Sequence, residues 1–566
     1  MSQPLAGDQK DAGLLPPENR PRFIQTLLAV AFLLALLAII PSPAKFHGDE
    51  QFYTDAAVQM VQDGDYWTPM YPNGQIRLLK PIVSYWASAG SMKVLGISLF
   101  TARLPFALAG LLTLLVTYQL AKTVTQNTQV ALLAALTLAS NVQIITLSTR
   151  ATPDIFVCLF TAISLWGLAK VWFSDDQTGA GAWLFYGGIG LSIETKGLLG
   201  LCPLAVAVLF WVLARPPMER TRRLLNWPAM LVGLGIAVFW YGIMFLKHGT
   251  TSFNDFVSDQ VTAKVAFNPL TVLSHCATYL VAGVRHFLPW TLLLVVGGII
   301  CRRDLKGFWK VHRNECLFLI LLYFILTVIF SFGNVSRTRY LVAAYPMLAV
   351  FLAIALNHLV TKRQHLPLLS PLIGIVGGIG VLFGLGLLAI SWGLDWRLAV
   401  GGGALLGLGL SSLKVVKSVN ELTRCLWMAT AVVVTFAVVG ACVRPVFSPS
   451  PIPYVVSALN PTDAQNPLIF SFQTKGSADA LIRLLSKGQI RLKPLDSEQL
   501  EATKPDKVIT TPKGTSELSE ADYEISAVSS ANLALENSWI GRLMAEHGKQ
   551  SETSEQPEYF IGTKRR

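Results

Sequence analysis

A helix that crosses a bilayer needs about 20 consecutive, mostly apolar residues. This chain supplies about thirteen such runs, near 22–41, 104–122, 129–147, 154–173, 182–194, 197–214, 227–246, 278–300, 315–332, 340–359, 368–391, 396–413 and 425–443. Backbone inside hydrocarbon must bond to itself, so these runs predict a bundle of membrane-spanning helices. The composition agrees: 52% of residues are hydrophobic and 14% charged, whereas about a quarter are charged in soluble proteins. The run from Phe23 to Ile40 is followed by no clear small-residue cleavage site, which predicts a retained first span. Seven cysteines are scattered without a CxxC pair, mostly inside apolar runs, and read as small core residues.

The formal net charge of +12 does not point to nucleic acid, because Lys and Arg fall mainly in short loops between apolar runs. With the amino terminus cytoplasmic, the strongly basic segments Arg215–Arg223, Cys301–Arg313, Thr361–Gln364 and Lys414–Arg424 share its side. The loop after His47, Arg150–Asp154, Glu194–Lys196, Lys247–His275 and Phe332–Tyr340 take the other side, with nearly all the membrane-proximal acids. The predicted organisation is a cytoplasmic tail (1–21), a transmembrane domain (22–443) with a first extracytoplasmic loop at 42–103, and a proline-rich linker and soluble domain (444–566). Within the loop, 53–63 and 82–95 read as helices along the membrane surface, joined by a turn around Pro72, Asn73 and Gly74. Strand-like 467–472 and 507–511 flank helix-like 477–488, which predicts a small α/β domain, and 548–566 reads as a loosely ordered tail. An odd number of spans puts this domain outside. Glycine-rich 374–410 fits close helix packing.

The residues able to do chemistry lie on the predicted outer side. Asp49 and Glu50 stand just past the first span, where burial and neighbours tune a carboxylate, although adjacent acids there also read as helix caps. Asp154 opens the fourth span behind Pro153, an ordinary place for a capping acid. Arg150, four residues earlier, adds an anion-holding cation, which capping does not require. Lys80 precedes Pro81, which restricts it; alternatively it is an interfacial lysine. Glu194 and Lys196 break an apolar stretch, as residues lining a cavity do. Arg337, Arg339 and Tyr340 cluster at a span entrance, where outer arginines run against the positive-inside bias and a phosphate would explain them. His248, His275 and His286 have no zinc-site spacing.

Taken together, DEQFYTDAAVQMVQDGDYWTPMYPNGQIRLLKPIVSYW (49–86), FTARLPFALAG (100–110), ATPD (151–154), ETKG (194–197) and the Ser336–Pro346 segment resemble the GT-C glycosyltransferases. The likeness is strongest to the lipid A aminoarabinose transferases and more distant to protein O-mannosyltransferases. It covers most of the membrane region and fades in the last hundred-odd residues, and it implies a GT-C fold for the all-α polytopic domain in the cell inner membrane, beside the small C-terminal α/β extracytoplasmic domain read above. It also implies an inverting transfer from a polyprenyl-phosphate-linked sugar donor to a lipid or glycan acceptor. Asp49 then matches the catalytic base, Asp154 the second acid and Lys80 the lysine near the donor phosphate. Glu50, Arg150, Lys196, Arg337, Arg339 and Tyr340 complete the expected substrate-binding set. The one cofactor raised by the resemblance is a divalent metal ion. However, Leu79 and Phe52 stand where the aminoarabinose transferases carry Glu and Arg, which removes a metal-binding carboxylate and argues against assigning the sugar as aminoarabinose. The alternatives are a protein O-glycosyltransferase of the same fold, a secondary transporter, which would show paired repeats and charges near the bilayer midplane, and a noncatalytic anchoring protein.

Overall fold

The computed structural model describes residues 20–174, 177–249, 268–363, 366, 368–418, 420–459, 468–528 and 559–565. The tail before residue 20 and most of the segment between Lys247 and His275 lie outside them. Among the described residues nine helical stretches are long and apolar enough to cross a membrane, or up to eleven if each of two bent pairs is one span, besides the shorter apolar stretch Phe23–Ile39. The chain is a multi-pass membrane protein.

Where the sequence predicts a fifth and a sixth span, helical structure runs almost unbroken from Ala180 to Ala214. Helix α7 (Asp154–Phe173) explains the path. Helix α8 (Ala180–Lys196) brings Lys196 beside Asp154 at one end of α7, whereas α9 (Cys202–Ala214) brings Phe210 against Trp172 at the other. The two helices therefore run in opposite directions, reversing through the tight helical turn Gly197–Leu201. Gly197 permits that reversal with φ of +70°, a conformation costly for any residue carrying a Cβ. The third run divides into α5 (Thr128–Ala139) and α6 (Val142–Ser148), bent by 65°. Asn141 restarts the helix there, its side-chain oxygen accepting the Gln143 and Ile144 amides at 3.0 and 3.1 Å. The glycine-rich hairpin Leu369–Ser391/Trp396–Val415 packs backbone to backbone: a Cβ on Gly409 would stand 2.6 Å from the Gly377 carbonyl.

After α1 (Arg20–Ile39), the first long loop holds α2 (Glu50–Asp63) and α3 (Val83–Leu95) and leads into α4 (Leu99–Thr125), which carries Arg103. Helix α2 starts three residues before the predicted boundary, so Asp49 immediately precedes it. The intervening turn closes through Tyr71 and Gly74, whose φ is +83°. Arg77 anchors the turn. It is buried, donates to the Tyr85 and Tyr71 hydroxyls at 2.9 and 2.7 Å, and lies 4.5 Å over the Phe52 ring.

The C-terminal domain is a five-stranded sheet of order β2-β1-β3-β5-β4, built from β1 (Leu468–Phe472), β2 (Arg491–Leu495), β3 (Lys507–Thr510), β4 (Tyr523–Val528) and β5 (Tyr559–Lys564). Strand β1 runs parallel to β2 and β3, with helix Gly476–Leu485 crossing between β1 and β2; β5 runs antiparallel to β3 and β4. Part of the predicted loose tail (548–566) is thus corrected: Tyr559–Lys564 is an inner strand, burying Tyr559 and Ile561, while 548–558 lie outside the described residues. The domain rests on the first loop through one apolar core in which Tyr53, Ala57 and Met60 of α2 join Leu481, Ile482 and Ile490. Inside that contact Asp55 pairs with Arg483 at 2.5 Å. Burial pushes the Asp55 carboxyl up to about 6, against the pull of Arg483.

Candidate active site

Four separate segments converge at one end of the bundle. The junction ahead of α2 supplies Asp49 and Glu50, the junction between α6 and α7 supplies Arg150 and Asp154, the end of α8 supplies Lys196, and the helical turn Thr338–Ala344 supplies Arg339 and Tyr340. Residues spaced over nearly three hundred positions meet because each stands at a junction between helices at the same end of the bundle.

Asp49 does not act as a cap. Its side chain makes no capping bond to α2 and instead meets Arg339 Nη1 at 2.5 Å. It is 35% exposed, the most accessible of the three acids. Glu50, expected to touch substrate, is fully buried and otherwise engaged. It accepts Arg103 Nε and Nη2 at 2.7 and 2.9 Å, the Ala151 amide at 3.0 Å and the His47 amide at 2.9 Å. That arrangement makes it a pin for the site and leaves no acceptor facing a ligand. Asp154 is buried and meets Lys196 Nζ at 2.5 Å, and the same ammonium lies 4.2 Å over the Tyr340 ring. Arg339 has a second free direction: its buried Nε has no hydrogen-bond partner.

Arg150 is half-buried beside Glu50, Arg103, Arg339 and Asp154, and its guanidinium hydrogen-bonds to none of the described side chains. Burial, reinforced by Arg103 and Arg339, holds it below the ordinary arginine value against the pull of Glu50. The centre therefore combines three acids, Asp49, Glu50 and Asp154, with four cations, Arg103, Arg150, Lys196 and Arg339. The acids are each paired, and the surplus positive charge is half-buried beside the accessible Asp49, an electrostatic arrangement that favours an incoming anion. His47 lies at the rim, its Nδ1 accepting the Asp49 amide at 3.2 Å. Burial and Arg150 hold its pKa below the usual imidazole value, so it is neutral at pH 7.

Lys80 is half-buried within the first loop, just ahead of α3. Two other residues singled out from the sequence do not join this centre. Arg337 is exposed and tied in through its backbone, the amide donating to the Tyr279 hydroxyl at 3.2 Å and the carbonyl accepting the Tyr340 amide at 3.0 Å. Glu194 turns away from Lys196 to accept the Trp240 amide at 2.9 Å. Of the three histidines, His286 is buried against the Tyr345 hydroxyl. Arg103 was missed, although its place within an apolar run, costly without a partner, is a readable signal. A divalent metal lacks a donor set: among the described residues no three His, Cys, Asp or Glu side chains stand close enough to share one, and Asp49 and Asp154 are each held by a cation.

Residues 79–244 match the family model described as dolichyl-phosphate-mannose-protein mannosyltransferase. An uncharacterized protein of Aquifex aeolicus is 28% identical over 56% of this chain and 60% of its own length. The undecaprenyl phosphate-alpha-4-amino-4-deoxy-L-arabinose arabinosyl transferase of Edwardsiella ictaluri is 23% identical over 65% of each chain. A Pseudomonas fluorescens transferase of the same description is 27% identical over 64% of this chain and 62% of its own. The chain thus spans slightly under two thirds of the length of these relatives. The crystal structure of ArnT from Cupriavidus metallidurans bound to undecaprenyl phosphate superposes with a TM-score of 0.68 at 17% identity, covering 97% of this chain and 98% of that one. Its apo state gives 0.67. The fold is therefore the GT-C fold of ArnT, C-terminal sheet included.

Proposed function

We propose that this chain is an inverting glycosyltransferase that moves a sugar from a polyprenyl-phosphate donor to a lipid or glycan acceptor, at the membrane face where Asp49 lies. The observation that carries the reading is the pair of guanidiniums with unspent donors, Arg150 and the Arg339 Nε, beside an accessible carboxylate. The similarity to undecaprenyl-phosphate sugar transferases supports the donor class.

In this reading the donor phosphate takes up Arg150 and Arg339, with Lys196 and Lys80 adding positive charge and Tyr340 backing Lys196. Arg339 then exchanges its grip on Asp49 for the phosphate, which frees the carboxylate as a base. The acceptor attacks the anomeric carbon opposite the lipid phosphate and gives its proton to Asp49. The bond from that carbon to the phosphate oxygen breaks, and the electron pair leaves with the phosphate, whose growing charge the cations stabilise. Asp154 keeps Lys196 charged and oriented, and no step uses a metal.

We also infer thirteen crossings, with α8 and α9 counted separately, a cytoplasmic amino terminus, and the C-terminal domain (444–566) on the extracytoplasmic side. Its docking on α2, and the basic segments gathered at the opposite ends of the helices, support that orientation. Transfer to a protein is the second reading, favoured by the description of the matching family model. Against a transporter, the acids gather at one end of the bundle. The experiment is mass spectrometry of membrane lipids, envelope glycans and envelope proteins from cells with and without the gene. A sugar-bearing lipid or glycan lost with the gene supports the proposal, a lost glycoprotein supports the second reading, and no change overturns both.

A further inference from the structure

Helix α2 is held at two places. At its head Asp49 meets Arg339 and Glu50 meets Arg103, both from the membrane domain. Along its flank the grip comes from the C-terminal domain. Arg483 Nη1 meets Asp55 at 2.5 Å with both side chains almost fully buried, and Nη2 donates to the Leu492 carbonyl of β2 at 2.8 Å, so the guanidinium, carried by the helix Gly476–Leu485, is fixed to the sheet. One residue before the end of α2, Gln62 Nε2 donates to the Gly488 carbonyl at 2.8 Å. Fit tightens the contact: a Cβ on Gly476 would stand 2.5 Å from Gln51 Oε1, and one on Gly488 2.8 Å from Ile97 Cδ1.

Adhesion alone does not explain a buried ion pair here, because the two parts already share an apolar core, and an apolar pair of similar volume is often at least as stable. What a paired carboxylate and guanidinium add is direction, since they meet only in a narrow geometry. Asp55 lies six residues from Asp49, about 9 Å along a helix axis, so rotation or slippage of α2 moves the Asp49 carboxylate directly.

Resting on the glycosyltransferase reading, we propose that Arg483 is a positioning residue for the reaction: by gripping Asp55 it sets the rotation and height of α2, and so places Asp49 against Arg339 and the donor. The C-terminal domain then works as part of the reaction centre without touching substrate.

The test uses the full-length protein in nanodiscs, comparing wild type with Arg483→Met, Arg483→Lys and Asp55→Asn. Three quantities are read: sugar transfer (kcat and KM for the lipid donor), binding of undecaprenyl phosphate alone, and hydrogen exchange along residues 42–63. A misplacement of about 1 Å at a reacting group costs about 100-fold in rate. Arg483→Met and Asp55→Asn are therefore expected to lower kcat by tens- to a hundredfold, with KM and undecaprenyl phosphate binding within threefold of wild type. Exchange should rise in α2 and stay unchanged in the membrane helices, and Arg483→Lys should recover part of kcat. Wild-type kcat in Arg483→Met overturns the proposal, as does a loss of transfer, lipid binding and membrane-helix protection together, which marks a purely structural role. Absence of transfer by the wild type defeats the glycosyltransferase reading instead, and unchanged α2 exchange in Arg483→Met then defeats the grip itself.

Discussion

Asp49 and Glu50 are adjacent in sequence, yet their replacement should have opposite consequences. Glu50→Ala removes a carboxylate that accepts two bonds from Arg103 and two from backbone amides, and it leaves the Arg103 guanidinium, 2% exposed, buried without its carboxylate. Stranding one member of a buried pair costs about 3–5 kcal/mol. Asp49→Ala breaks a pair whose side chains are 35% and 17% exposed, where solvent screens the charge and the cost is about 1 kcal/mol or less. Unfolding in mixed micelles at graded denaturant, followed by tryptophan fluorescence, should therefore place Glu50→Ala at least about 2 kcal/mol below Asp49→Ala. Sugar transfer should be lost in Asp49→Ala with stability nearly intact. A double Glu50→Leu, Arg103→Met variant should recover much of the stability, because no buried charge is left without a partner. Equal stability of the two single variants would refute the division of labour drawn here.

Arg150→Gln and Arg339→Gln should each weaken binding of undecaprenyl phosphate about 10- to 100-fold, the worth of about 1.5–3 kcal/mol for a hydrogen bond to a charged group, as read by titration in nanodiscs; Arg337→Gln should have little effect. His47 gives a pH dependence: its folded pKa lies below the ordinary 6.5, so its stabilising contribution is present above pH 6.5 and is lost as pH falls and the ring charges beside Arg150. Thermal unfolding should show that acid limb in wild type and a flatter profile in His47→Gln. A chain ending at Glu558 lacks the inner strand β5, so its C-terminal domain should become protease-sensitive.

The membrane domain was legible because about twenty apolar residues leave few other structures open. The reversal between α8 and α9 was legible in the ETKG break. Convergence of the acids and cations could be inferred only from their shared side, since sequence spacing says nothing about which side chains of a junction turn inward. For that reason Arg339 and Arg337, two residues apart, were not separated, and Glu50 was assigned to substrate. Strand β5 was hidden for a different reason. Its pairing with β3 joins residues 50 to 56 positions apart across a polar stretch, and no local pattern carries that contact.

The central claim is that Asp49 takes a proton from the acceptor in a centre built to hold a lipid phosphate. Single-turnover transfer by Asp49→Asn, with undecaprenyl-phosphate sugar saturating, tests it most directly. The account expects a fall of about 10²- to 10⁴-fold with undecaprenyl phosphate binding unchanged. Transfer within a few-fold of wild type would contradict it.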